Sequence, residues 1–110
     1  MTLQDPESQI HVPPSFVALY TDPRRQRLSI GKAELCQRYE LCEDLAQALV
    51  DTAATQSHGG TVSDDAVLAR CHAGLVQEGS GLSAVEAGWV TQRLAELLNW
   101  AQPELPAPAP

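Results

Sequence analysis

The chain has few aromatic side chains and no long apolar run. Only five of its 110 residues are aromatic, so leucine, valine and alanine must supply most of a hydrophobic core. No segment approaches the roughly 20 consecutive apolar residues that a membrane-spanning helix needs. Alternating β-branched runs, which indicate strands, are also absent. These absences argue against a membrane-spanning helix and against a fold built from β-strands.

Cations are scarce, and most of them are clustered. Seven lysines and arginines stand against fourteen carboxylates, which gives a formal net charge of −7. Because phosphate recognition needs concentrated Lys and Arg, we expect no nucleic-acid partner. Five of the seven cations nonetheless lie within fifteen residues of the sequence, in the linker and the start of the helix that follows it: Arg24, Arg25, Arg27, Lys32 and Arg38. This segment is either a solvated loop that neutralises nearby carboxylates or a surface that binds an anionic partner.

The three cysteines, Cys36, Cys42 and Cys71, cannot all pair within one chain. The N-terminal segment carries two carboxylates and a proline where a secretion signal would be apolar. Both features favour a reducing compartment, so we expect a cytoplasmic protein with no membrane partner.

A long central helix is predicted from apolar residues that recur at steps of four and three, at Leu35, Tyr39, Cys42, Ala46, Leu49 and Ala53. It should run from about residue 30–33 to about 56. The apolar stripe is widened to roughly half the circumference, as in a globular bundle, by Leu41, Leu45 and Ala48. Leu45 and Leu49 are therefore expected in the core. The opposite, polar face consists of Glu40, Asp44, Gln47 and Asp51.

Three other helices are predicted from their end signals. A short helix at about residues 14–21 begins at Pro14 and ends before Pro23. A second long helix follows the capping residue Ser63 and reaches about residue 78. A third begins at the capping box of Ser83 and Glu86 and ends near residue 101.

These elements predict an all-α fold, a compact antiparallel helical bundle of one short and three long helices. Connections of a few residues favour antiparallel neighbours. We expect residues 13–101 to form the bundle domain, with a disordered, flexible arm at 1–12 and a Pro-rich tail at 102–110.

Signatures of catalysis and metal binding are largely missing. The chain has no phosphate-binding glycine loop, no GxGxxG and no GxSxG. Cys71-His72 is the most metal-like pair, but no CxxC or HxxxH spacing accompanies it. On a helical wheel Cys71 lies at the centre of an apolar face, whereas Cys36 lies on a polar one. We expect Cys36 to be the exposed thiol, and we expect no cofactor, no metal and no enzymatic activity.

Trp89 and Trp100 lie at nearly the same angle on the last helix, because eleven residues make about three turns, and Arg93 lies between them. Either the short helix covers this aromatic edge, or part of the edge is exposed for docking, since Trp and Arg are enriched in binding hot spots. If the short helix docks there, its aromatic residues and the basic linker form one mixed surface. The candidate partner-binding residues are Phe16, Tyr20, Arg24, Arg25, Arg27, Trp89, Arg93 and Trp100.

We therefore predict a small non-enzymatic adaptor or regulator that binds another protein or a second copy of itself as a homodimer. Two alternatives stay open. One is a small-ligand or metal-binding helical sensor that uses Cys71 and His72. The other is an accessory subunit of a larger enzyme, without an active site of its own.

Overall fold

A computed structural model of the chain describes residues 11–105. It begins with a short helix α1 (Pro14–Val17), a 3-10 turn (Ala18–Tyr20) and a hairpin of β1 (Thr21–Asp22) and β2 (Arg27–Leu28). Three long helices follow, α2 (Lys32–His58), α3 (Asp64–Leu75) and α4 (Ala84–Leu98). The predicted all-α helical bundle is confirmed. Within residues 11–105, no helix combines the length and apolar character needed to cross a bilayer.

The chain divides into two compact units, and the division lies inside α2. The first unit ends at Leu41 and the second begins at Cys42. Because α2 is one continuous helix of 27 residues, the two units share it.

The first unit is organised around Phe16. Pro14 occupies the first turn of α1, where its missing N–H costs nothing because that group has no intrahelical acceptor. The Phe16 ring is fully buried. Its centroid lies 5.8 Å from that of Tyr20 and 5.7 Å from that of Tyr39, in an edge-on arrangement with Tyr39. Since a four-residue helix is not stable alone, these ring contacts hold α1 in place.

The basic linker contains a hairpin that the sequence analysis did not predict. Thr21 pairs with Leu28 and Asp22 with Arg27 in antiparallel register. The Asp22 backbone oxygen accepts a 2.7 Å hydrogen bond from the amide of Gln26, which has a left-handed φ of 54°. The Asp22 carboxylate also accepts one from the amide of Arg24 at 2.9 Å. Strands of two residues are too short to show alternation, so the sequence carried no signal for them.

The buried stripe of α2 is narrower than predicted. Four of its six predicted positions are buried, Leu35, Cys42, Ala46 and Ala53, and the predicted polar face is exposed. The prediction that three further residues widen the buried stripe is wrong. Leu41 is 39% exposed, Ala48 is exposed and Leu45 is half-buried. Leu49, expected in the core, is also only half-buried. A bundle of a few helices covers less of each helix than a larger fold would.

The core of the second unit is built from all three long helices. Its fully buried residues are Ala53 from α2, Val67 and Leu68 from α3, and Leu94 and Ala95 from α4. Partly buried residues packed against it include Leu49, Val50, Cys71, Leu98 and Trp100. Residues 59–63 and 76–83 join consecutive long helices, which run antiparallel.

The two predicted N-terminal caps are confirmed. Ser63 Oγ accepts a hydrogen bond from the amide of Ala66 at 3.1 Å. Ser83 and Glu86 form the reciprocal capping box, with bonds of 3.2 and 3.0 Å. The last helix ends at Leu98, a few residues early, because Asn99 adopts a left-handed φ of 60°.

The predicted arm at 1–12 and tail at 102–110 lie mostly outside the described residues. The described part of the tail has no regular secondary structure. Gln102 Nε2 donates a hydrogen bond to the backbone oxygen of Gln92 at 3.3 Å. Leu105 reaches the surface of α4 at Gly88, 4.0 Å from the position that a Cβ would take there. Gln102 and Leu105 are therefore in contact with α4.

Candidate functional site

The eight candidate partner-binding residues differ widely in exposure. The three arginines of the linker, Arg24, Arg25 and Arg27, are exposed, and Tyr20, Arg93 and Trp100 are half-buried. Phe16 and Trp89 are 0% and 5% exposed. These two rings therefore present almost no surface in this structure, and their predicted role in partner binding stays a prediction. The predicted position of the short helix beside the tryptophans stays a prediction.

Arg93 is held by carboxylates of its own unit. Its Nε and Nη2 atoms donate to the two oxygens of Glu43, at 2.8 and 3.1 Å, in a two-pronged ion pair. Its Nη1 atom donates to Glu96 at 3.1 Å. The hydrogen bond from Arg93 is the main reason that the pKa of Glu43 is lowered, against the opposing effect of burial. Arg93 thus links α4 to α2, and its predicted role in partner binding stays a prediction.

This ion pair predicts a pH-dependent stability. Because the pKa of Glu43 is lowered in the fold, the pair stabilises the protein above the usual glutamate value of about 4.3. The stabilisation should disappear as the pH falls through the lowered pKa. We expect Glu43→Gln to cost about 1–2 kcal/mol at neutral pH and almost nothing near pH 2.

Urea melts of both proteins across this pH range measure the difference. Asp44→Asn is the matched control, because Asp44 is exposed. This substitution should change the free energy of unfolding by no more than about 0.5 kcal/mol. If Glu43→Gln lowered the free energy of unfolding by the same amount at every pH, the Glu43–Arg93 ion pair would not be the cause of the loss.

An apolar groove lies on the first unit, and we call it the N-terminal groove. It has a volume of about 580 Å³ and is lined mainly by Val12, Pro14, Val17, Ala18 and Pro23. The sequence did not predict these residues as a site, because prolines and short apolar side chains in and around a four-residue helix have no readable period. Its surface is mostly apolar, and His11 also belongs to the lining.

The hairpin carries three exposed cations, Arg24, Arg25 and Arg27, and we call this segment the arginine hairpin. Pro23 lines the groove, and Arg24 follows it directly. Arg25 forms an ion pair with Asp22, with 4.0 Å between Nε and a carboxylate oxygen, and its side chain is 75% exposed. Within residues 11–105, the Arg24 and Arg27 guanidinium groups have no ion-pair or hydrogen-bond partner. The arginine hairpin is therefore available to an anionic group.

The solvent exposure of the three cysteines differs from the prediction. Cys42 is buried, whereas Cys36 and Cys71 are both half-buried. The prediction of one exposed thiol at Cys36 and a core thiol at Cys71 is therefore corrected. Burial raises the pKa of the Cys71 thiol, which favours its protonated form. Residues 11–105 hold no group of three or more His, Cys, Asp or Glu side chains arranged for a metal ion, so the Cys71–His72 pair has no third ligand there.

Two features thus offer binding surfaces on the first unit, the N-terminal groove and the arginine hairpin. The groove has apolar walls and the hairpin carries exposed cations, a combination that suits an amphipathic and negatively charged segment. Comparison of the chain with protein-family models, with curated proteins and with solved structures finds no match.

Proposed function

We propose that this protein is a non-enzymatic adaptor or regulator that binds an acidic segment of another protein. The binding surface is the N-terminal groove together with the arginine hairpin. One observation carries the proposal: three exposed arginines directly follow Pro23 or lie close after it, Pro23 lines an apolar groove, and the protein has a formal net charge of −7.

The two parts of this surface have complementary tasks. Apolar side chains of the partner would enter the groove and leave water, which gives the affinity. The guanidinium groups would take carboxylates in paired hydrogen bonds, a geometry that lysine cannot offer. The acidic remainder of the molecule would repel an acidic partner, so the arginine hairpin also selects where that partner binds.

The hairpin is ordered before any partner arrives. The Ser29 amide donates to the Tyr20 backbone oxygen at 2.6 Å, and the Ser29 hydroxyl donates to the same oxygen at 3.0 Å. These bonds close the hairpin, and the arginines lie between its ends. Less conformational entropy is lost on binding when the surface is already ordered.

The cysteines support a cytoplasmic location. Three of them, with Cys36 and Cys71 only half-buried, suit a reducing compartment such as the cytoplasm. An accessory subunit of a larger enzyme would use the same surface to reach its enzyme. Binding to a second copy of the chain is a distinct outcome, which sedimentation of the purified protein would reveal.

The binding test uses a fluorescein-labelled peptide of twelve residues, with four glutamates and two leucines in a Gly/Ser background. Its counterpart carries four lysines. We expect anisotropy to show binding of the glutamate peptide only, and weaker binding as salt screens the charges over about 10 Å at 0.1 M. Arg24→Glu with Arg25→Glu should weaken it at least about tenfold, while stability changes by no more than about 0.5 kcal/mol.

A matched pair of variants separates local charge from net charge. Arg24→Gln with Arg25→Gln and Gln77→Glu with Gln92→Glu both make the net charge more negative by two, and all four residues are exposed. Only the arginine pair should reduce binding of the glutamate peptide. Equal losses in the two variants, or full affinity in the doubly reversed one, would place the binding surface elsewhere. Capture from the native cell with wild-type and reversed protein then identifies the partner.

A further inference from the structure

A second groove lies between α2 and α3, within the second unit. We call it the α2–α3 groove, and its volume is about 270 Å³. Leu49 and Leu75 give it apolar walls, and Cys71 also lines it. Gly74 belongs to the lining too, and no atom lies within 4 Å of the position that a Cβ would take there. The groove therefore has open space beside an apolar surface.

One wall of this groove contains an unsatisfied acceptor. The Oε1 atom of Gln56 is buried, and within residues 11–105 it accepts no hydrogen bond. Buried polar side-chain atoms are nearly always hydrogen-bonded, because an unpaired one keeps the full cost of its desolvation. Because almost none of its surface is accessible, the Gln56 amide must turn toward the α2–α3 groove before an O–H or N–H donor there can bond to it and remove that cost.

The groove also contains one cation. Arg70 belongs to its lining, is exposed, and has no ion-pair or hydrogen-bond partner among the described residues. An arginine at the rim of an apolar groove is suited to a carboxylate, which it can bind through two parallel hydrogen bonds.

We propose that the α2–α3 groove binds a small aliphatic carboxylic acid that also carries a hydroxyl or amino donor. The carboxylate would pair with Arg70, the donor with Gln56, and the aliphatic body would lie between Leu49 and Leu75. The volume is just below the roughly 300–1,000 Å³ of most small-molecule sites, which fits a ligand of few heavy atoms. This site is independent of the docking function proposed for the first unit.

Three matched probes test the chemistry by titration into the full chain, followed by amide NMR shifts. They are 2-hydroxy-4-methylpentanoate, 4-methylpentanoate without the hydroxyl, and 3-methylbutan-1-ol without the carboxylate. We expect saturable shifts around the groove for the hydroxy acid, and binding at least about fivefold weaker for the other two. No saturable shift with the hydroxy acid up to on the order of 10 mM, or equal binding of all three probes, would overturn the proposal.

Substitutions in the groove test which residue binds the carboxylate of the ligand and which binds its hydroxyl. Arg70→Gln should weaken the hydroxy acid about tenfold, whereas Lys32→Gln, an exposed cation outside the groove, should not. Gln56→Leu should raise the melting temperature of the free protein and remove the preference for the hydroxy acid over 4-methylpentanoate. Gly74→Leu should fill the open space and abolish binding in a folded protein. Retained binding in Gly74→Leu would place the ligand elsewhere and overturn the proposal.

Cys71 supplies an internal reporter of occupancy. A saturating hydroxy acid should slow alkylation of Cys71 at least about threefold, since the thiol lines the groove. Cys36, which is half-buried like Cys71 but belongs to the other unit, should react at an unchanged rate. Mass spectrometry of the alkylated protein measures both sites in one sample. Equal slowing of both thiols, or slowing of neither, would contradict the assigned position.

Discussion

Replacing Phe16 by alanine should lower the free energy of unfolding by about 3–5 kcal/mol, the usual range for a buried phenylalanine. The ring has no exposed surface, and it joins α1 to Tyr20 and Tyr39 through ring contacts. Aromatic contacts of this kind add to the free energy of burial. Alanine would leave a cavity at the point where a four-residue helix is held.

Urea melts followed by circular dichroism measure this loss. Phe16→Leu is the control, because it keeps most of the apolar volume and should cost clearly less than alanine. Val76→Ala, at a residue that is 45% exposed, should stay within about 0.5 kcal/mol. A loss below about 1 kcal/mol for Phe16→Ala would mean that the ring does not anchor α1.

The same variant also bears on the proposed docking surface. Pro14, Val17 and Ala18 line the N-terminal groove, and α1 supplies the first two of them. Phe16→Ala should therefore reduce both stability and binding of the glutamate peptide. The arginine reversals should reduce binding alone, which separates a loss of contact from a loss of structure.

Leu94→Ala should cost about 2–5 kcal/mol, the range for a leucine truncated in a core. Leu94 is fully buried in the cluster that joins Ala53 of α2 to Val67 and Leu68 of α3. Several side chains in this cluster are short or β-branched. Such side chains cannot extend into the space that the leucine atoms leave, so the cavity would remain. The cavity cost therefore adds to the lost transfer free energy.

Leu41→Ala deletes the same atoms at a position that is 39% exposed, and it should cost less than about 1 kcal/mol. Leu45→Ala, at a half-buried residue, should lie between the two. Chemical denaturation of the three variants therefore tests the narrow buried stripe directly. If Leu41→Ala proved as costly as Leu94→Ala, the broad stripe read from the sequence would be right after all.

The helices themselves were determined by the sequence, because their signals are local. Ser63 and the Ser83–Glu86 box sit at helix starts because their side chains satisfy amides only three residues away. The apolar period of α2 and the break at residues 59–63 likewise depend on neighbours along the chain. For this reason the all-α class, the number of long helices and most of their ends could be predicted.

Only the tertiary structure decided which side chains are covered and which groups meet. Glu43 and Arg93 are fifty positions apart, and no local pattern brings them together. Leu41 and Leu94 have the same side chain within apolar helical patterns, yet one is exposed and the other fully buried. The N-terminal groove and the α2–α3 groove arise where short segments or neighbouring helices leave space. Burial, pairing and cavities depend on packing between distant parts of the chain, which the period of one helix does not contain.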